Sequence, residues 1–334
     1  MAIGLLVAFG TQILLFLLFN KKTLSAKTSW TIAMFGFFAS ILLVIDVKSE
    51  VQYYLSAFFN GFILFFFWIF YNVAHFEHTP SEKVGVSAGF MFGIPSLIGI
   101  IAPLIAGFLG NINTELAWSV SFVSLGIAIL LIRQQRDFSI VIDIIASFRE
   151  IISTRVLIFI GGIWDTLAMA LIPIYTLYFI KTTLGYGTFL AYLSLISAIA
   201  TIVIGHFSDK IKKRIIFLFP ITLAASAITL AFPFATQDLR LWIILSGMIS
   251  FIIPLFWNFS TAIVVDTSEN LNVAIPGRDL LLALGRFLGL ILVLISFLYE
   301  KTPFFIFPFL GLVILLYPLI LFYRSRISKK YSYL

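Results

Sequence analysis

Eleven apolar runs dominate this 334-residue chain, and they constrain it more than any motif does. They fall at about 2–20, 29–47, 51–76, 83–109, 114–133, 156–181, 186–207, 214–234, 239–265, 277–298 and 303–324. A helix crosses a hydrocarbon layer of about 30 Å with roughly 20 apolar residues, which is the length of these runs. Hydrophobic residues make up 61% of the chain and charged ones 11%. A soluble domain has too few interior positions to hide that much apolar surface. The expected fold class is therefore all-α, a polytopic helical membrane protein.

The remaining composition narrows the chemistry. There is no Cys, which removes disulfides, iron–sulfur clusters and thiolate metal sites. The formal charge of +7 would point to nucleic acid in a soluble protein. In a membrane chain it reads instead as basic loops that set orientation, so no nucleic-acid partner is expected. No cleavable leader is evident at the start. No phosphate-cradling Gly-rich loop with Lys occurs, and no nucleophile–base pair argues for an enzyme. His75 and His78 lie beside Glu77 but lack a further ligand, so neither metal nor cofactor is expected.

Lys and Arg divide between the two membrane sides. Lys21, Lys22, Lys27, Lys83, Arg133, Arg136, Arg149, Arg155, Lys210, Lys212, Lys213, Arg214, Arg278, Arg324, Arg326, Lys329 and Lys330 fall on one side. Only Lys48, Lys181, Arg240 and Lys301 fall on the other. The crowded side reads as cytoplasmic, which puts the C-terminus inside the cell and Met1 outside. The localisation expected is a multi-pass protein of the cell (inner) membrane.

The longest stretch outside the runs is 134–154, QQRDFSIVIDIIASFREIIST. Phe138, Ile142, Ile145, Phe148 and Ile152 recur every three or four positions, a pattern that suits a short amphipathic helix on the membrane surface. The stretch divides the chain into a first half, 1–133, a linker, 134–155, and a second half, 156–334.

The halves repeat. Phe70-Tyr71-Asn72 and Phe256-Trp257-Asn258 are near-identical triplets 186 positions apart, and the same shift carries Gly99 onto Gly285. It also brings the first five runs onto the last five and leaves 156–181 without a partner. The expectation is a six-plus-six protein represented here by five helices and six, the first of the series being absent.

Between the second and third runs after the linker stands Gly205-His206-Phe207-Ser208-Asp209-Lys210-Ile211-Lys212-Lys213-Arg214. It resembles the signature loop of the major facilitator superfamily, roughly G-x-[LF]-[SA]-D-[RK]-x-G-[RK]-[RK], with Lys212 at the internal Gly. The resemblance implies a permease with two pseudo-symmetric helical halves working by alternating access. It also implies a cytoplasmic gate built from Gly205, Asp209, Lys210, Lys213 and Arg214, whose acid meets the start of the run at 83–109 near Ser81, Glu82 and Lys83. The equivalent first-half loop, residues 19–28, keeps its bases but has Thr23 where the acid would stand.

Asp165 and Arg286 are charges inside apolar runs, where ionisable groups are costly and face a cavity or a partner. Each lies about nine residues from its cytoplasmic helix start, roughly 13 Å at the helical rise, so a salt bridge between them is expected. Two readings stand for this pair: a proton-coupling site, or a static buried ion pair. Asn72, Asn258, Gln12 and Asn60 are candidates for a substrate cavity, with interhelical hydrogen bonding as the alternative. Gly89, Gly93, Gly99, Pro103 and Gly107 mark 83–109 as a packing surface between halves. The partners expected are a small-molecule substrate, the lipid bilayer and a proton or other coupling ion. Few polar residues occupy the runs, which favours an apolar or drug-like solute. The competing reading is a non-transporting membrane protein, receptor-like or inactive.

Overall fold

The computed structural model describes residues 1–77, 79, 84–207, 214–299 and 304–327. Its helices are α1 (Ala2–Leu18), α2 (Ala26–Ile45), α3 (Glu50–Glu77), α4 (Val84–Ile112) and α5 (Thr114–Gln134), then the short α6 (Ile144–Glu150). The second half supplies α7 (Arg155–Phe179), α8 (Thr183–Phe207), α9 (Arg214–Ala235), α10 (Leu239–Thr267), α11 (Leu271–Tyr299) and α12 (Ile306–Ile327). Among the described residues, ten helices are long and apolar enough to cross a membrane, and α1 is a shorter apolar one. The chain is a multi-pass membrane protein.

Side-chain caps satisfy the first N–H groups of many helices. Ser25 Oγ accepts from the Thr28 N–H, Ser49 from Gln52, Asn113 from Glu115, and Asp238 from Arg240 and Leu241. Among the described residues two helices carry a π turn, Ile63–Phe67 in α3 and Leu167–Leu171 in α7. Buried aromatics fill both halves. Phe16, Phe65, Phe66 and Phe70 sit in the first, and Trp164, Trp242, Phe256 and Phe307 in the second. The indole N–H groups of Trp164 and Trp242 donate to Thr229 and Thr176, so these buried rings carry no orphan donor.

The halves meet along two seams, α4 on α8 and α1 on α11. Pairing the first five helices with the last five turns one seam into the other, so the contact itself obeys the repeat. Gly93, Gly99 and Gly107 of α4 face Thr201, Ser194 and Leu184 of α8, the close approach expected of small residues. In the second half α7 packs on both α11 and α12. Among the described residues no helix takes the corresponding place against α4 and α5. Their apolar windows are each 6% buried, against 39% and 44% for α11 and α12. The repeat thus appears as five helices facing six.

The linker departs from the surface helix expected of it. Residues Ser139–Ile142 form a strand, β2, paired antiparallel with β1 (Lys22–Ser25) in the turn between α1 and α2. Its alternation places Ile140 and Ile142 inward and Val141 outward, a period of two, and only α6 is helical. The β-branched run Ile140-Val141-Ile142 favours extended backbone, which the search for a 3.6-residue period passes over. Lys21 enters the strand with φ 62°, the left-handed region.

Candidate functional site

Six charged or amide side chains converge where the halves meet. On α11, Arg278, Leu282 and Arg286 follow an i, i+4, i+8 spacing that lines one face, with Asp279 beside it. From α3 come Leu64, Trp68 and Asn72 at the same spacing, from α1 Gln12, from α7 Met169, and from α10 Trp257. These residues and Met91 of α4 line a cavity of about 240 Å³.

Arg286 Nε and Nη2 each lie 2.8 Å from Asp165 Oδ2. Asp165 is buried, while the Arg286 side chain keeps 21% of its surface exposed. This is the pair expected from equal depth. The Arg286 guanidinium also lies over Phe9, at 5.5 Å from the ring centre, and over Trp257 at 5.8 Å. Such faces favour a cation through their quadrupole.

A second ion pair was not anticipated. Arg278 Nη1 donates to Asp279 Oδ1 at 2.9 Å, and Nη2 to Thr261 Oγ1 at 2.9 Å. Asn72 Nδ2 donates to Asp279 Oδ2 at 3.2 Å, which ties α3 of the first half to α11 of the second. The sequence count placed Arg278 with the cytoplasmic-side bases, and in the structure it is buried within α11. The apolar run opens near 277, whereas the helix begins at Leu271, which sets Arg278 about two turns inside it. The 4-residue spacing of Arg278, Leu282 and Arg286 was the signal that extends the helix back.

The amide candidates separate. Gln12 and Asn72 line the cavity, and Gln12 Nε2 donates to the Leu64 carbonyl at 3.1 Å. That carbonyl belongs to a π turn, whose shifted bonding leaves an acceptor for a neighbouring helix. Asn60 is instead bonded to Ser40 Oγ and the Ser56 carbonyl, holding α3 to α2 away from the cavity. Asn258 is buried in α10 and is not among the residues lining the cavity. For Asn60, the interhelical alternative fits. Of the gate residues, Gly205 lies in the α8 backbone and Arg214 opens α9. Asp209, Lys210 and Lys213, and their expected contacts Ser81, Glu82 and Lys83, lie outside the described residues, as does His78. Among the described residues no group of three metal-binding side chains forms.

No known sequence family matches the chain, and no curated protein is similar to it in sequence. Solved structures are similar in fold. The human organic anion transporter MFSD10 (TETRAN) is 14% identical with a TM-score of 0.65, over 95% of this chain and 83% of that one. A bacterial homologue of the iron transporter ferroportin, in an outward-facing state, is 14% identical with a TM-score of 0.67, over 97% and 90%. The fucose:proton symporter FucP of E. coli is 11% identical with a TM-score of 0.61, over 96% and 87%. The chain has the fold of the major facilitator transporters, two helical halves around a shared interior.

Proposed function

We propose that this chain is a secondary active permease of the cell membrane that moves a small solute by alternating access, with Asp165 exchanging the coupling proton. The observation that carries the reading is the pairing of buried Asp165 with Arg286, which lines a cavity where the two halves meet. An acid inside a membrane bundle is retained at a cost, and a proton path is a use that justifies it. Protonation of Asp165 would weaken its hold on Arg286, whose part-exposed guanidinium then answers to the cavity and to Trp257. Repeat-built carriers bind at such a seam and rock one half against the other.

Leu64, Trp68, Met91, Met169, Trp257 and Leu282 supply most of the wall, which supports a small solute that is largely apolar or drug-like. One of the structures similar in fold is described as a proton symporter and another as an organic anion transporter, in keeping with a transport role. The test is reconstitution into vesicles carrying a pH-sensitive dye, screened with a panel of small apolar solutes. A solute that moves protons through wild-type protein and not through Asp165→Asn supports the reading. Intact pH-driven flux in Asp165→Asn overturns the coupling role.

A further inference from the structure

The linker touches both halves, and it does so at the mouth of one seam. On the first-half side its strand pairs with β1 in the register Lys22↔Ile142 to Ser25↔Ser139. Asp137 accepts from Ser25 Oγ at 2.9 Å and from the Lys27 N–H at 3.0 Å, at the start of α2. Asn20 Oδ1 accepts the Ile144 N–H at 3.2 Å and closes the far end of the strand. This attachment is a ladder with a charge-assisted bond at one end and a side-chain bond at the other.

On the second-half side α6 and β2 both pack on α11, with Ile140 and Ile142 in one buried cluster with Ile275 and Leu280, and polar bonds are few. Glu150, at the end of α6, accepts through Oε1 from the N–H groups of Glu269 and Asn270, immediately ahead of α11. Ser147 of α6 is buried against Gly277, where an added Cβ would lie 2.9 Å from both the Ser147 Cβ and its carbonyl oxygen. A carboxylate on free N–H groups at a helix start is favoured by charge and by hydrogen bonding together. α11 is the helix that carries Arg278, Asp279 and Arg286, and α1 is its partner across the seam.

We propose that residues 135–154 are a latch across the basic face of the protein, anchored to the first half by β2 and releasable at Glu150. Glu150 is a positioning residue: it holds the start of α11 to the α1–α2 turn while that face is shut. The first-half loop has Thr23, exposed, at the place of the expected acid, and the linker brings a carboxylate to the opposite half instead. Parting α1 from α11 on this face requires the two N–H bonds to Glu150 to break, the Ser147–Gly277 contact to open and the apolar packing of β2 and α6 on α11 to separate, while β1 and β2 travel together. The inference rests on alternating access as the working mode.

The chain has no Cys, so two introduced cysteines report alone. Spin labels at Thr28→Cys in the first half and Val156→Cys in the second, in lipid discs, read the separation of the halves on this face. Glu150→Ala is expected to raise the long-distance population at least threefold, and Glu150→Gln, which keeps an acceptor oxygen without the charge, by less. An unchanged distribution in Glu150→Ala overturns the latch, including the case where only the melting temperature falls. Where Glu150→Ala does not fold, Glu150→Gln decides: a distribution equal to the parent overturns it, and a raised long population supports it. The distances are read without solute or gradient. An unchanged distribution therefore overturns the latch alone, and absent flux in vesicles overturns the transport reading alone.

Discussion

Arg286 spans the packed faces of α11 and α7 and sets Nε and Nη2 on one oxygen of Asp165, 2.8 Å from each. The close approach that permits this comes from Gly162 and Gly285, whose Cα atoms meet in the same crossing. Removing one member of a buried ion pair leaves a charge without a partner and costs about 3–5 kcal/mol. Arg286 keeps part of its surface exposed, so Asp165→Ala and Arg286→Ala are expected at the lower end of that range. The double variant should lose less than the sum of the two, because neither charge is then stranded. Thermal unfolding of the four proteins in one detergent measures the cycle. Strict additivity would mean that the pair carries no coupling.

Asn72 and Asn60 look alike in sequence and are expected to behave differently. Asn72 donates to Asp279 across the halves, whereas Asn60 bonds Ser40 and Ser56 within one half. Asn72→Leu takes a donor from a buried carboxylate and should lower flux in vesicles at least tenfold. Asn60→Leu should lower stability by about 1 kcal/mol, the scale of an interhelical bond in a membrane, and leave flux per folded molecule unchanged. Equal flux from the two variants would remove Asn72 from the working site.

The bundle was legible because membrane helices announce themselves by apolar length, and that length does not depend on tertiary context. The Asp165–Arg286 pair was legible for the same reason, since a charge within such a run stands out against it. Arg278 and Asp279 were not, because they sit near the helix start, where polar residues also belong to loops. The linker strand was missed on physical grounds. Phe138, Ile142, Ile145, Phe148 and Ile152 satisfy a helical period, but β1 offers a free edge and backbone pairing with it outweighs that pattern. Asn258 was read through its match to Asn72, yet equal position along a helix does not give equal facing.

The attachment of the linker to α2 should depend on acid. The Lys27 N–H, and then the Ser25 hydroxyl, hold the Asp137 carboxyl below the usual aspartate range, although it is almost fully exposed. A lowered folded-state value stabilises the bonded form above the ordinary value, about 3.9. That contribution is fully present at neutral pH and is lost as pH falls through the lowered value. Protection of the amides at residues 22–25, measured against the intrinsic exchange rate at each pH, should therefore hold from pH 7 down to the ordinary carboxylate range and fall only below it. In Asp137→Asn the protection should already be lower at pH 7, with little further acid response. A wild-type transition near pH 6 would assign the response to some other group.

The glycines offer a graded test of which helix crossings are tight. At Gly285 an added methyl would strike the Phe159 carbonyl oxygen and lie 3.0 Å from the Gly162 Cα, and neither is side chain that could turn aside. Overpacking of this kind costs about 1–3 kcal/mol, so Gly285→Ala should melt lowest of the series. At Gly99 the nearest atom is Ser194 Oγ, 2.6 Å away, which can rotate, so Gly99→Ala should lose much less. Gly126 of α5 has no atom within 4 Å of the added Cβ, and there alanine should gain about 0.5–1 kcal/mol from helix propensity alone. Melting temperatures in the order Gly126→Ala, wild type, Gly99→Ala, Gly285→Ala would bear out the packing. A destabilised Gly126→Ala would mean that another helix presses on the outer face of α5.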